Sequence, residues 1–301
     1  MNIKLKLPDG FLEEEVRCGY KISHEMKKVW AVELDLFAEF DRVCKKYDIK
    51  YCACGGTMLG AIRHNGFIPW DDDMDVMMLR NDYNRLCEVA AKEFTHPYFF
   101  QTEYTDRGSF RRHAQLRNSD TTGLLNGEDF LNINQGIFFD IFPLDNVVDN
   151  KLLFFIQSLR CAYYYKIALV TSCYSTRYVS SKNYIKRIIK DFVKKNFGNK
   201  LSSISLRYYK KYEMSLAKYN NKETKQVSQL IWDCNSLYHR DVADFRPLVE
   251  HDFEFLKIPV ASNHEHALSK RFGEWRKFVV GGSLHGGVFF DTEKPYTEYL
   301  K

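Results

Sequence analysis

Apolar residues recur every three or four positions from Met26 through Trp30, Leu34, Phe37, Phe40 and Cys44 to Tyr47, while Glu33, Asp35, Lys45 and Lys46 fall off that stripe. The spacing predicts an amphipathic helix with one face turned to a core. At Asp48 the period changes. Ile49 to Cys54 reads as a short buried strand ending at Gly55-Gly56, residues 57–64 as a short helix, Asn65-Gly66 as a turn, and Asp73 to Leu79 as a second strand. Asn81 or Asp82 offers a cap for a helix running to about Phe94.

Three strand-like runs follow, at 98–104, 110–117 and 136–142, the last two separated by a loop rich in Asn, Gly and Thr. Beyond Pro143 the pattern becomes helical, with helices expected at 154–170, 184–196 and 201–219. A mixed segment closes the chain, with a strand at 253–258 and a helix at 264–272. The order predicts an α+β fold: a core with a mixed sheet over 1–148, a helical insertion over 149–225, and a closing α+β portion over 226–301 that completes the site.

Composition narrows the class. With 301 residues, 45% of them apolar, and 46 aromatic side chains, the chain can bury a large core, which excludes disorder and a coiled coil. The net charge of +5 is too mild to call for nucleic acid, but its distribution is uneven. Residues 177–225 hold 14 basic and 3 acidic side chains, a local +11 that leaves −6 for the remainder. Such a block either lies solvated on a pair of helices or faces an anionic partner. With Phe154, Phe155, Tyr163, Tyr164 and Tyr165 just ahead of it, peripheral attachment to the inner leaflet of a membrane is expected. No apolar run approaches the roughly 20 residues of a spanning helix. Eight cysteines would permit disulfides, but with no apolar leader in the first 20 residues the reducing cytoplasm is expected. Cys52 and Cys54 lack the second pair that a zinc site needs, and are expected on one face of a buried strand.

The chemistry concentrates in Trp70-Asp71-Asp72-Asp73-Met74-Asp75-Val76, four carboxylates in five residues running into an apolar strand. On a strand, Asp71, Asp73 and Asp75 project to one face, where their mutual repulsion calls for a cation. Oxygen donors favour Mg²⁺ or Mn²⁺. An acidic surface turn is the plainer reading, but such a turn is not usually embedded between apolar strands. Upstream, Gly55-Gly56-Thr57 opens a helix whose free N–H groups suit a phosphate. A glycine turn ahead of a D-x-D strand end is the layout of a nucleotidyltransferase-type palm.

The segment Gly55-Gly56-Thr57-Met58-Leu59-Gly60-Ala61-Ile62-Arg63-His64, followed by Gly66-Phe67-Ile68-Pro69-Trp70-Asp71-Asp72-Asp73-Met74-Asp75, resembles the signature of the LicD family. Gln115-Leu116-Arg117 with Thr121-Thr122, Phe139-Asp140-Ile141-Phe142-Pro143-Leu144-Asp145, and His285 with Asp291, Pro295-Tyr296 and Tyr299 are similar to further family pieces in the same order. The resemblance implies a nucleotidyltransferase-like fold and transfer of phosphocholine, or a related phospho-alcohol, from a CDP-activated donor such as CDP-choline to a sugar hydroxyl of a cell-surface glycan, for instance a lipopolysaccharide, teichoic acid or capsule precursor. Fukutin-related enzymes share the motif and use CDP-ribitol. The motif aspartates match Asp71, Asp73 and Asp75, and a further sheet carboxylate matches Asp140.

On this reading Asp73, Asp75 and Asp140 hold Mg²⁺, with Asp140 alternatively taking the acceptor proton and Asp71 an outer ligand or a second candidate base. Gly55, Gly56, Thr57, Arg63 and Arg117 are expected to bind phosphate, joined by His64, His285 and Asp291 as substrate-binding candidates. Each Arg has an ion-pair alternative and each His a structural one. Two other classes stay open: a D-x-D glycosyltransferase using a nucleotide-sugar, against which the Gly-Gly-Thr ahead of the acids argues, and an inactive relative that only binds glycan or membrane.

Overall fold

The computed structural model describes residues 1–178, 183–230, 239–280 and 287–300. A small hairpin, β1 (Glu15–Arg17) and β2 (Tyr20–Ile22), leads into α1 (His24–Lys46), where the Ser23 hydroxyl accepts from the Met26 amide at 3.2 Å as an N-cap. Next come β3 (Cys52–Ala53), α2 (Gly55–His64), β4 (Asp75–Leu79) and α3 (Arg80–Glu93). Strands β5 (Tyr98–Gln101), β6 (Ala114–Asn118), β7 (Thr122–Leu125) and β8 (Ile137–Val147) complete the first half. A helical hairpin, α4 (Lys151–Ser172) and α5 (Tyr184–Leu216), precedes β9 (Gln226–Ser228), β10 (His239–Asp241), β11 (Leu248–Phe253), β12 (Leu256–Ala261), α6 (His264–Phe272) and β13 (Val288–Asp291).

The centre is a mixed seven-stranded sheet, so the α+β expectation holds. Along it run β10, β9, β8, β4 and β3, with β6 also on β8 and β5 on β6. Strand β8 is parallel to β4 and antiparallel to β6 and β9. The last strand, β13, pairs with β7, setting Asp291 opposite Thr122.

Helix α1 is more deeply enclosed than an amphipathic helix would be. Every residue from Val29 to Phe37 is buried, acids included. On one side Phe37 and Phe40 meet the ring of Phe139 on β8, at 6.0 and 5.1 Å between centroids. On another, Asp35 accepts from the Lys4 and Leu5 amides at 2.8 and 2.7 Å and from the Tyr98 hydroxyl at 2.9 Å. On a third, Trp30 stacks on Phe67 at 4.5 Å.

Several boundaries differ from expectation. The stretch 110–117 becomes a strand only at Ala114, because Phe110 and Arg112 take positive φ. The expected strand at 253–258 straddles the turn of the β11–β12 hairpin, where Glu254 has φ +54°. Helix α3 begins at Arg80 with Leu79 as an unassisted cap, so neither Asn81 nor Asp82 fills that place. The two basic helices are one, with Gly198 inside it. A helical glycine costs about 1 kcal/mol, which packing against α4 outweighs. Cys54 is the residue capping α2, just past β3. Among the described residues no helix is long and apolar enough to cross a membrane.

Candidate active site

Strand β4 begins at Asp75, and the parallel register sets Asp75 opposite Asp140 on β8. Asp71, Asp72 and Asp73 precede the strand in irregular backbone. They therefore do not alternate as strand residues, and Asp72 joins its neighbours rather than pointing away: all three carboxylates offer oxygens within 4.8 Å of one another. Two bonds bend the segment. The Asp71 amide donates to Ile68 O at 2.9 Å, and the Trp30 indole N–H donates to Asp71 O at 3.1 Å.

The glycines make room for these acids. Gly55 opens α2 with φ +51°, a conformation costly for a side chain, and Asp75 Oδ2 lies 3.7 Å from where its Cβ would be. At Gly56 a Cβ would sit 2.7 Å from Asp71 Oδ2. Thr57 ties the helix to the strand, its hydroxyl accepting from the Asp75 amide at 2.7 Å. The N-cap residue, Cys54, makes no side-chain hydrogen bond to the first turn of α2, and the amides at a helix start suit an anion.

Asp140 is held from β6, where Gln115 Nε2 donates to its Oδ1 at 2.5 Å and His113 Nε2 stands 3.4 Å from the same oxygen. Arg117 orients Gln115 in turn. Its guanidinium donates to Gln115 Oε1 at 2.5 Å, Gln101 Oε1 at 2.6 Å and Gly136 O at 2.7 Å, all inside the protein. Burial and the charge of Arg111 lower its pKa to about 9.

Burial, then the charges of Asp71, Asp72 and Asp140, pushes the Asp73 carboxyl well above the carboxylate range. Asp75 is raised by burial and then by Asp73 and Asp140. Enclosed oxygens on Asp72 and Asp75 (Oδ1 of each) have no hydrogen-bond donor among the described residues. Hard oxygen donors, crowded and short of donors, fit a divalent cation such as Mg²⁺ or Mn²⁺.

The other expected residues lie elsewhere. Arg63, at the far end of α2, donates to Trp275 O at 2.8 Å and to His64 Nε2 at 2.9 Å and lies over the Phe278 ring. His64 stacks on Phe278, and burial with Arg63 and Arg17 lowers its pKa to about 4, so its imidazole is neutral near pH 7. Asp291 accepts from the Glu293 and Lys294 amides and the Tyr299 hydroxyl in the C-terminal turn. His285 lies outside the described residues.

Three neighbours of the acids carried no signal of their own in the sequence. Glu33 is 1% exposed on α1, where periodicity set it aside as a surface residue. Burial and then the charges of Asp73, Asp72, Asp71 and Asp140 drive its carboxyl well above the ordinary range. His113 sits beside Asp140. Arg240 on β10 donates to Cys54 Sγ at 3.7 Å and shares a small pocket with Gly55, Lys270 and Arg271, bringing positive charge to the start of α2. Only the fold brings it there, since its stretch of sequence has no distinguishing pattern.

The family model for the LicD/FKTN/FKRP nucleotidyltransferase domain matches residues 48–147, the stretch that supplies β3, α2, β4 and β8. The chain is 27% identical over 256 residues to the lipopolysaccharide cholinephosphotransferase LicD of Haemophilus influenzae, covering 81% of this chain and 88% of that one. It is also 37% identical to an uncharacterised protein of Rickettsia prowazekii over 93 residues, 31% of each chain. A similar uncharacterised protein of Rickettsia typhi is 40% identical over 63 residues, 21% of this chain and 19% of that one.

Proposed function

The chain belongs to the LicD family, and from that we propose that it transfers phosphocholine, or a related phospho-alcohol, from a CDP-activated donor to a hydroxyl of a cell-surface glycan. The observation that carries the reading is the convergence of Asp71, Asp72 and Asp73 with the paired Asp75 and Asp140 beside the glycine start of α2. We read the sheet as a nucleotidyltransferase-like palm, its core running to about residue 148.

In this mechanism Asp73, Asp75 and Asp140 hold the cation. Bound there, Mg²⁺ supplies charge neutralisation for the donor's two phosphates. Gln115, fixed by Arg117, keeps Asp140 in place, and Thr57 keeps Asp75 in place. The Gly55 and Gly56 amides, with Arg240 alongside, receive phosphate oxygens at the start of α2. The acceptor oxygen bonds to the phosphorus that carries choline, the bond from that phosphorus to the bridging oxygen breaks, and CMP leaves. The acceptor's proton passes to a carboxylate of the cluster, for which Asp71 is our choice because Gln115 already occupies Asp140.

The α4–α5 hairpin supports attachment at the cytoplasmic surface of a membrane, where lipid-linked acceptors are within reach. Ile185, Ile188, Ile189 and Phe192 are each at least 50% exposed and form one face of α5 at helical spacing. Lys186, Arg187, Lys190, Lys194 and Lys195 interleave with them. An apolar stripe flanked by cations suits an anionic lipid surface.

The test is CMP release from CDP-choline by the purified protein with Mg²⁺ and a candidate glycan. Release that requires Mg²⁺ and disappears in Asp73→Asn and Asp75→Asn supports the proposal. No release from any CDP-alcohol, with turnover of a UDP- or GDP-sugar instead, would replace it by the glycosyltransferase reading.

A further inference from the structure

Buried carboxylates elsewhere in this molecule are supplied with donors. Glu103 accepts from the Gly108 and Phe110 amides and pairs with Arg107. Asp35 takes two amides and a tyrosine hydroxyl, and Asp145 takes both arms of Arg80. Glu33 differs from these three. It is 1% exposed, its Oε2 is enclosed, and among the described residues that oxygen has no hydrogen-bond partner.

The helix segment that carries it is nevertheless fixed against the acids. Three residues earlier on the same helix, Trp30 stacks on Phe67 and donates to Asp71 O, which lays this part of α1 against the acid segment. The charges bearing most strongly on Glu33 are Asp73, Asp72, Asp71 and Asp140, all of the same sign. Asp72 and Asp75 likewise have enclosed oxygens without a donor. Orphaned oxygens thus come from three directions, α1, the loop and β4, toward one acid cluster, an arrangement that a shared cation satisfies.

We infer that Glu33 is a direct ligand of the divalent cation at this site, so that the N-terminal helix, outside the matched residues 48–147, contributes to the metal centre. The inference rests on the metal reading of the acid cluster proposed above. It assigns α1 two tasks, packing on the sheet through Phe37 and Phe40 and closing the cation site through Glu33.

Mn²⁺ titration of the full-length protein, followed by the electron paramagnetic resonance of free Mn²⁺ and by thermal shift, tests it. Glu33→Gln should weaken Mn²⁺ binding about tenfold or more and shrink the Mn²⁺-induced rise in Tm. Its metal-free Tm should hold, because among the described residues no hydrogen bond to Oε2 is lost. Unchanged Mn²⁺ affinity in Glu33→Gln, with affinity lost in Asp73→Asn, overturns the role of Glu33 and leaves the metal reading standing. Unchanged affinity in both overturns the metal reading and this inference with it. Should the Gln variant fail to fold, Glu33→Asp keeps the charge one methylene short, and Mn²⁺ affinity equal to wild type in that variant overturns the inference.

Discussion

Gly56 and Asp71 occupy one another's space: a Cβ on Gly56 would lie 2.7 Å from Asp71 Oδ2. The motif glycine thus admits a carboxylate to the start of α2, and its effect on function can be separated from its effect on folding.

Gly56→Ala meets only the tip of a flexible side chain, so Asp71 can swing aside at little expense to the fold. We expect CMP release to fall at least tenfold while Tm moves by only a few degrees. Gly60→Ala is the contrast. Its Cβ would lie 2.4 Å from the Gly66 backbone oxygen, and the helix and the following turn cannot both stay in place. Overpacking of this kind costs about 1–3 kcal/mol or more. Equal loss of Tm in the two variants would refute the distinction.

The acid cluster sets a pH dependence for the metal-free protein. Glu33, Asp73 and Asp75 are raised in the fold, first by burial, so the folded state keeps their protons after the unfolded state has released them. Their contribution to stability is then most favourable at low pH and is lost as pH rises from about 4 through the raised values. The Tm of Asp73→Asn/Asp75→Asn minus that of wild type, measured in EDTA, should therefore grow between pH 5 and 7.5, by the equivalent of about 1 kcal/mol or more. Mg²⁺ should reverse the order by stabilising wild type alone. A difference independent of pH would contradict the crowding of charge.

Asp145 belongs to the family-like motif around Asp140, yet its carboxylate is bound by Arg80 Nε at 2.8 Å and Nη2 at 2.6 Å, with Asn220 adding a third donor at 2.7 Å. The pair is almost wholly buried, at 7% and 0% side-chain exposure. Removing one partner strands the other charge, so Arg80→Ala or Asp145→Asn should cost about 3–5 kcal/mol in urea unfolding. Whatever protein remains folded should keep its Mn²⁺ affinity. Lost Mn²⁺ affinity at unchanged stability would make Asp145 a site residue instead.

Ile188→Asp/Phe192→Asp places charge on the exposed apolar stripe of α5 and should abolish co-flotation with anionic liposomes at unchanged Tm. Equal flotation of wild type with neutral and anionic vesicles would remove the electrostatic part of the proposal.

The acid motif was legible because four aspartates running into an apolar strand repel one another at close range, and that crowding is written in the residue order itself. Helix α6 matches its expected span. Glu33 was not legible. Periodicity assigns residues to one exposed and one enclosed face, and a helix enclosed all round from Val29 to Phe37 violates that premise. Gln115 stood in a family-like piece without a role, and His113 was hidden, for a different reason. Their importance lies in the register of β6 against β8, which puts Gln115 opposite Asp140 and is a property of strand pairing rather than of either segment. Arg117, read as a phosphate ligand candidate, has its three bonds to Gln115, Gln101 and Gly136 within the protein, a distinction that only acceptor positions reveal.

The β7–β13 pair has a kinetic consequence. Leu125 and Val288 are partners, so forming this ladder closes a loop of about 160 residues. Such closure adds little to the equilibrium, since loop entropy grows only with the logarithm of length. In time it weighs more. A chain leaving the ribosome has made β7 long before β13 exists, and the edge of β7 waits for its partner while most of the protein is synthesised. Through that interval it is an open strand available to a neighbouring chain.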